Sequence, residues 1–146
     1  MVWSPMVRIM KKPRTVICDI DGCIMQGPWF EDIQDFYDNM DSWQPVDWMV
    51  DIVTCIYKLG YRIIFLTARD EKVRRKTTRQ LKDMFDFRFD LYMRPTGDER
   101  PSHIVKEEFL LKLQEHYNII FAIDDEQPNC DMYRKHGIDV IQPNIS

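Results

Sequence analysis

Short apolar runs alternate with longer amphipathic segments along most of the chain. Runs of consecutive β-branched and other apolar residues are typical of strands buried on both faces. They predict strands at residues 15–18, 62–66, 90–93, 119–123 and 139–141. The intervening segments place apolar residues at helical spacing, and they predict helices over residues 46–59, 70–84, 102–116 and about 128–137, with Ser102 as the N-cap of the third. Such alternation is typical of an α/β fold in which helices cover both faces of a parallel sheet.

Polar and charged residues directly follow three of the predicted strands. Because the carboxyl ends of parallel strands meet at one edge of the sheet, the side chains that follow them are expected to converge. A lysine near the start of the helix before the fourth strand can reach the same edge. The converging residues are Asp19, Asp21, Thr67, Arg69, Lys106, Asp124 and Asp125.

Four carboxylates belong to this converging set, and their mutual repulsion is informative. Taken singly, each residue has an ordinary structural explanation as a turn residue, a helix cap or a solvated lysine. Taken together, each pair of like charges about 4 Å apart would cost on the order of 4 kcal/mol at an effective dielectric constant of 20. A fold that keeps such a cluster requires a bound cation or a catalytic function.

Length and composition favour one globular domain. The chain has 146 residues, a formal net charge of −4 and 45% apolar residues. The domain is predicted at residues 15–146, behind an N-terminal extension of residues 1–14. No apolar run approaches the ~20 residues of a membrane span, and no secretory signal is visible. The acidic balance argues against a nucleic-acid coating protein.

Cysteine usage indicates a reducing compartment. The four cysteines form no CxxC pair and no cluster with zinc-site spacing. Cys18 and Cys55 lie in apolar runs that predict small core residues. A cytoplasmic location is therefore the simplest expectation.

Four motifs resemble those of the haloacid dehalogenase-like phosphohydrolases. In chain order they are VICDIDGCI, IIFLTAR, VKEEF and FAIDDEQPN, and the resemblance covers about residues 15–143. The stretches TAR, RPTGDERPSHIVKEEF and IDDEQPN are similar, more narrowly, to the 3′-phosphatase domain of phage polynucleotide kinases. With the alternation of elements, the resemblance implies a three-layer α/β sandwich around a five-stranded, parallel, Rossmann-like sheet. The expected strand order is 5-4-1-2-3, with no large cap domain.

The resemblance also implies a Mg²⁺-dependent phosphomonoesterase that works through an aspartyl-phosphate. An aspartate is ionised at neutral pH, so Asp19 needs no base to act as the nucleophile. Asp21 would protonate the leaving group and later activate water. Thr67 and Lys106 would hold the phosphoryl group, and Arg69 would contact the substrate. The metal ligands would be Asp19, the backbone carbonyl of Asp21 and Asp125, with Asp124 as a neighbour or support.

Three departures from the family pattern bear on specificity. Cys23 stands where the family has a threonine after the first motif, which is expected to affect packing more than chemistry. The segment IMQGPWFED lacks an arginine that the phage domain carries. Ser102 stands where that domain has an acidic residue four positions before the motif lysine.

The segment between the first two motifs is too short for a large cap domain. An open site of this kind suits a large substrate such as a nucleic-acid end, unless residues 25–45 form a small flap. Four aromatic residues crowd this region, and core or flap packing is the favoured interpretation, with stacking on a base as the alternative. They are Trp29, Phe30, Trp43 and Trp48.

The helix predicted at residues 70–84 carries a basic stripe. At 100° per residue, one side holds Lys72, Arg75, Lys76, Arg79 and Lys82, and Thr77 and Leu81 face the other way. Arg75 and Arg79 are therefore candidate contacts to a phosphate backbone, although a solvated helix face is the ordinary explanation.

The sequence thus predicts a phosphatase that removes 3′-phosphate from nucleic-acid ends. The alternatives are a phosphatase of nucleotides or other small molecules, and a non-catalytic domain that binds phosphorylated ends. No GxxxxGK[ST] segment is present, so no P-loop kinase is expected within this sequence, and whether a separate kinase or ligase partner exists stays open. Similarity to phage enzymes would place such a protein in the host cytoplasm.

Overall fold

The computed structural model describes residues 11–145, and a five-stranded parallel sheet forms its centre. In chain order the strands are β1 (Arg14–Cys18), β2 (Met25–Gln26), β3 (Gln44–Pro45), β4 (Arg62–Asp70), β5 (Asp90–Arg94), β6 (Asn118–Ile123) and β7 (Asp139–Ile141). The central sheet has the order β5-β4-β1-β6-β7, and β2 pairs with β3 in a separate two-stranded sheet. When the five central strands are counted in chain order, this is the predicted order 5-4-1-2-3, which is confirmed.

Helices cover both faces of the sheet, as predicted. They are α1 (Ile33–Asp38), α2 (Asp47–Lys58), α3 (Arg74–Met84), α4 (Ser102–Leu113) and α5 (Gln127–Lys135). Side chains of β1 alternate between two buried cores. Val16 packs in the core that includes α2 and α3, and Ile17 packs in the core that includes α4 and α5. The three-layer sandwich follows from this alternation.

The second central strand is longer than its apolar run predicted. β4 extends to Asp70, and its pairing with β5 shifts register between Thr67 and Asp70. Thr67 and Arg69 therefore lie within the strand rather than after it. A 3₁₀ turn (Glu71–Val73) follows, and Asp70 caps this turn by accepting a hydrogen bond from the Lys72 backbone N–H.

Three smaller predictions are wrong. Pro101, rather than Ser102, occupies the N-cap of α4, and the Ser102 hydroxyl accepts a hydrogen bond from Asn129 Nδ2 at 3.2 Å. That helix also ends at Leu113, three residues earlier than predicted. Cys55 is exposed, because α2 turns Val53 and Ile56 towards the core and leaves position 55 facing solvent.

Residues 25–45 form a small flap, which the sequence analysis gave only as an alternative to an open site. β2 and β3 pair antiparallel, with Met25 opposite Pro45 and Gln26 opposite Gln44. Helix α1 and a 3₁₀ turn (Met40–Ser42) lie between them. The flap is the whole insertion between the first two motifs apart from α2, so there is no large cap domain in this described part of the chain.

The described residues bear on two further predictions. Within residues 11–145, no helix is long and apolar enough to cross a membrane. Most of the predicted N-terminal extension, residues 1–14, lies outside the described residues, and β1 begins at Arg14.

Candidate active site

Asp19 and Lys106 form the centre of a polar cluster at the carboxyl edge of the sheet. Asp19 directly follows β1, and its backbone N–H donates to the Ile123 carbonyl at 2.9 Å. Lys106 projects from α4, with Nζ 3.0 Å from Asp19 Oδ1, and both side chains are buried. Burial alone would lower the pKa of Lys106, but the carboxylates of Asp19 and Asp124 raise this pKa well above its usual value. The lysine is therefore cationic.

The Asp19 carboxylate carries its charge in an unfavourable environment. Burial raises the pKa of Asp19 well above its usual range, Lys106 opposes that increase, and Asp124 and Asp125 add to it. A second cation beside Asp19 would lower this pKa and so favour the ionised form.

Asp124 is the buried anchor of Lys106. Its Oδ2 lies 2.7 Å from Lys106 Nζ, and its Oδ1 accepts from the Glu126 backbone N–H at 3.0 Å. Asn129 Nδ2 also donates to both oxygens, at 3.1 and 3.2 Å. Because both of its oxygens already accept hydrogen bonds, Asp124 holds Lys106 in place. The carboxylate that lies near Asp19 and could bind a cation is that of Asp125.

Asp125 approaches Asp19 across the loop that contains Gly22 and Cys23. A Cβ built on Gly22 would lie only 2.2 Å from Asp125 Oδ2, and Gly22 has φ +80°, so this position requires glycine. The Cys23 thiol lies 3.9 Å from Asp125 Oδ1. One ligand atom from each of Asp19, Cys23 and Asp125 lies within 4.8 Å of the others.

This arrangement fits a divalent cation. Burial raises the pKa of Asp125, as it does that of Asp19, so two carboxylates face one small space where their negative charges are poorly solvated. Carboxylate oxygens are the ligands that Mg²⁺ prefers in proteins. The predicted side-chain ligands, Asp19 and Asp125, both belong to this cluster, and their binding of Mg²⁺ stays a prediction.

Arg69 clamps the carboxylate of Asp21. Arg69 Nε and Nη2 donate to the two oxygens of Asp21 at 2.9 and 2.7 Å, in the two-pronged geometry of strong arginine–carboxylate pairs. Arg69 Nη1 donates to Thr77 Oγ1 and Gln80 Oε1, at 3.1 and 2.7 Å. The guanidinium is buried and holds Asp21, so its predicted contact with substrate stays a prediction.

Thr67 lies on the floor of the site. It is fully buried, and its hydroxyl oxygen accepts from the Arg69 backbone N–H at 3.1 Å. Accepting this bond orients the hydroxyl and leaves its proton able to donate to a ligand.

The flap makes an aromatic roof over this floor. A cleft of about 300 Å³ lies between them, with Asp19, Asp21, Thr67 and Lys106 among its floor residues. The roof residues that line it are Trp29, Phe30, Ile33, Phe36, Tyr37 and Trp43. Trp48 is not among them and lies exposed on α2.

A basic groove adjoins the roof on its outer side. It is lined by Lys72, Arg75, Lys76 and Arg79, and by Tyr37, which also lines the cleft. Arg75 and Arg79 are exposed, whereas Lys76 approaches Asp41 of the flap at 3.5 Å. Lys82, the fifth residue of the predicted stripe, lies outside the groove.

The structure brings together all seven predicted edge residues and adds several that the sequence did not indicate. Asn129 and Gln80 support Asp124 and Arg69, and Glu126 lines the cleft. Asn129 falls inside the fourth motif, five residues after Asp124 on the first turn of α5, and this spacing could have identified it. No sequence signal points to Gln80, because its role depends on the packing of α3 beside β4.

Comparison with known proteins gives one family and several relatives. The family model for the polynucleotide kinase PNKP phosphatase domain matches residues 13–145. A protein of Autographa californica nuclear polyhedrosis virus, whose name assigns it polynucleotide kinase and RNA ligase activities, is 27% identical over 121 residues. That match covers 79% of this chain and 17% of the viral protein.

Solved structures agree with the sequence comparison. One chain from each of two solved structures of the Pnkp1/Rnl/Hen1 complex superposes on this chain with a TM-score of 0.79 at 29% identity. The second structure is described as that of an RNA repair complex. Each match covers 92% of this chain, but only 47% and 43% of the other chains. The chain thus spans less than half of these relatives and about a sixth of the viral one.

Proposed function

The chain belongs to the family of polynucleotide kinase phosphatase domains, and from this premise we propose that it removes 3′-phosphate from nucleic-acid ends. The reaction is hydrolysis of a phosphomonoester through an aspartyl-phosphate on Asp19. The observation that carries this proposal is the buried contact of Asp19 with Lys106, beneath a cleft whose floor also holds Asp21 and Thr67.

In the first step, Asp19 attacks phosphorus. A carboxylate oxygen of Asp19 forms the new bond, and the bond from phosphorus to the 3′ oxygen breaks. Lys106 and Thr67 neutralise and hold the phosphoryl oxygens, since a cationic Nζ and a hydroxyl lie on the same floor. Mg²⁺ held by Asp19, Asp125 and the backbone carbonyl of Asp21 would supply the charge that offsets repulsion between carboxylate and phosphate.

Asp21 transfers the protons. It gives a proton to the departing 3′ oxygen and then removes one from the water that attacks the phosphorus of the aspartyl-phosphate. This second step releases inorganic phosphate and restores the Asp19 carboxylate. The ion pair with Arg69 holds the Asp21 carboxyl in the lining of the cleft. A fixed position there suits proton transfer, because the donor and acceptor atoms must lie within hydrogen-bond distance of each other.

Nucleic acid is the favoured substrate because the cleft adjoins a basic groove. Arg75 and Arg79 in this groove are proposed to contact phosphates of the strand that leads to the reacting end. We also propose that the phosphatase acts beside kinase and ligase activities, because the name of the viral relative combines a polynucleotide kinase with an RNA ligase. Unpaired cysteines support the reducing, cytoplasmic location proposed here.

A comparison of initial rates tests the function. The substrates are an oligonucleotide with a 3′-phosphate, the same oligonucleotide with a 5′-phosphate, and nucleoside 3′- and 5′-monophosphates. The 3′-phosphorylated oligonucleotide should have the highest kcat/KM, EDTA should abolish turnover, and Asp19→Asn should remove activity without loss of the fold. Preference for a mononucleotide would favour a small-molecule phosphatase, and tight binding of phosphorylated ends without turnover would favour a binding domain.

A charge reversal tests the basic groove. Arg75→Glu/Arg79→Glu should raise KM for an oligonucleotide several-fold and leave kcat on a small aryl phosphate nearly unchanged. If two phosphate contacts are lost, the dependence of log KM on log salt should become shallower by about 1.4. The matched control is Lys58→Glu/Lys112→Glu, which reverses two exposed charges at the ends of α2 and α4. Equal effects of both pairs would exclude a specific role for the groove.

A further inference from the structure

Trp29 is an apolar residue in an unusual position. It is 81% exposed, the largest exposed fraction among the large apolar side chains of the described residues, and it lines the cleft above Asp19 and Thr67. Three other aromatic roof residues pack on one another, because Phe36 contacts both Tyr37 and Trp43, with ring centroids 5.6 and 5.3 Å apart. Among the described residues, Trp29 takes part in no aromatic pair.

The backbone before Trp29 is held firmly. Trp43 Nε1 donates to the Pro28 carbonyl at 3.1 Å. Gly27 lies so close to the Trp43 indole that an added Cβ would be 2.6 Å from Cδ1. Pairing of β2 with β3 also fixes the backbone of Met25 and Gln26, the two residues before Gly27. Trp29 is therefore presented at the cleft by an anchored segment, and its exposure is a property of the fold.

The cleft combines two chemistries that suit one kind of ligand. Its floor has a cation and a hydroxyl, which suit a phosphate, and its lining includes the Trp29 indole, which is largely exposed and pairs with no other aromatic ring of residues 11–145. A phosphorylated nucleoside has an anionic group and a flat aromatic base separated by a sugar. Exposed aromatic side chains bind such bases by stacking, which every base allows because each has a π face.

We propose that Trp29 is a stacking platform for the base at the 3′-phosphorylated end, and that it determines preference for base-bearing ends. This inference deepens the proposed function and rests on it. Stacking is independent of base identity, so Trp29 should distinguish a nucleoside from an abasic sugar and should not select among the four bases.

Two substrates and three variants test the platform. The substrates are 3′-phosphorylated oligonucleotides identical except that the last nucleotide of one is abasic. In the wild-type protein, KM for the base-bearing end should be about 5- to 100-fold lower. Trp29→Ala should raise KM for the base-bearing end towards the abasic value without a matching loss of kcat, and Trp29→Phe should keep most of the difference. Trp48→Ala is the matched control, because Trp48 is 55% exposed and lies outside the cleft.

The outcomes separate this inference from the function on which it rests. If Trp29→Ala raises KM equally for both ends, or changes neither, Trp29 is not a base platform, although the phosphatase activity stands. If the wild-type protein hydrolyses neither oligonucleotide but does hydrolyse glycerol phosphate, the proposed function fails and the platform fails with it. A preference for one base over the others that Trp29→Ala abolishes would also contradict the inference, because stacking on Trp29 should not depend on base identity.

Discussion

Lys106→Met should destabilise the protein strongly, because it leaves two buried carboxylates without their cation. Lys106 Nζ lies 3.0 Å from Asp19 Oδ1 and 2.7 Å from Asp124 Oδ2, and the lysine is about 1% exposed. Each contact corresponds to about 5–6 kcal/mol of Coulomb attraction at an effective dielectric constant of 20, most of which offsets desolvation. Removing one partner of a buried ion pair typically costs about 3–5 kcal/mol.

Thermal unfolding measures this loss directly. For a domain of this size the melting temperature should fall by about 10–20 °C at neutral pH. Lys112→Met, on the exposed side of the same helix, should change it little. Asp124→Asn in the Lys106→Met background should recover part of the loss, because one of the two unpaired carboxylates is removed.

The pH dependence of the loss has a definite sign. An unpaired buried carboxylate has a higher pKa in the folded than in the unfolded state, so its destabilising effect is absent below the unfolded value of about 3.9. The effect grows as pH rises towards the folded value. Lys106→Met should thus be least harmful near pH 4 and most harmful at pH 7. Equal loss across this range, or equal loss in Lys112→Met, would refute the reasoning.

Four further results are expected. Gly22→Ala should abolish activity, because the new Cβ would collide with Asp125 and the residue has positive φ; retained turnover would show that the loop adapts. Arg69→Lys should lower kcat by more than tenfold, since one ammonium cannot clamp both oxygens of Asp21, and an unchanged kcat would remove the clamp from the mechanism. Mg²⁺ should raise the melting temperature more at pH 8 than at pH 5.5, because protons compete for carboxylates whose pKa is raised; a pH-independent increase would place the cation elsewhere. Gly27→Ala should raise KM for base-bearing ends as Trp29→Ala does, because it displaces Trp43, and an unchanged KM would mean that the flap anchor is dispensable.

Regular alternation of apolar runs was sufficient to predict the central sheet. Each of its strands contains a short, uninterrupted apolar run, so the order of elements and the convergence at one edge both followed. Strand ends were less certain: β4 continues through Thr67 to Asp70, although the apolar run stops at Leu66, because hydrogen bonding to β5 extends the strand.

The flap and the support of the site could not be predicted in the same way. β2 and β3 are two residues long, and their pairing depends on contacts that local periodicity does not encode. Gln80 bridges the flap to the clamp by donating to the Met40 carbonyl and accepting from Arg69, which only the folded arrangement brings together. For Cys55 the sequence was misleading. Its apolar neighbours predicted a core position, but the residue is exposed because α2 turns Val53 and Ile56 towards the core instead.

Capture of the covalent intermediate tests the central claim most directly. A 3′-phosphorylated oligonucleotide is mixed with excess protein and Mg²⁺, and the reaction is quenched in acid within milliseconds. Borohydride then reduces the phosphorylated carboxyl group to an alcohol with release of phosphate, and mass spectrometry locates the reduced residue. The account predicts a reduced side chain at Asp19 alone, formed before phosphate release is complete, and none in Asp19→Asn. Phosphate release without any marked residue, or a mark at Asp21 or Asp125 instead, would contradict it.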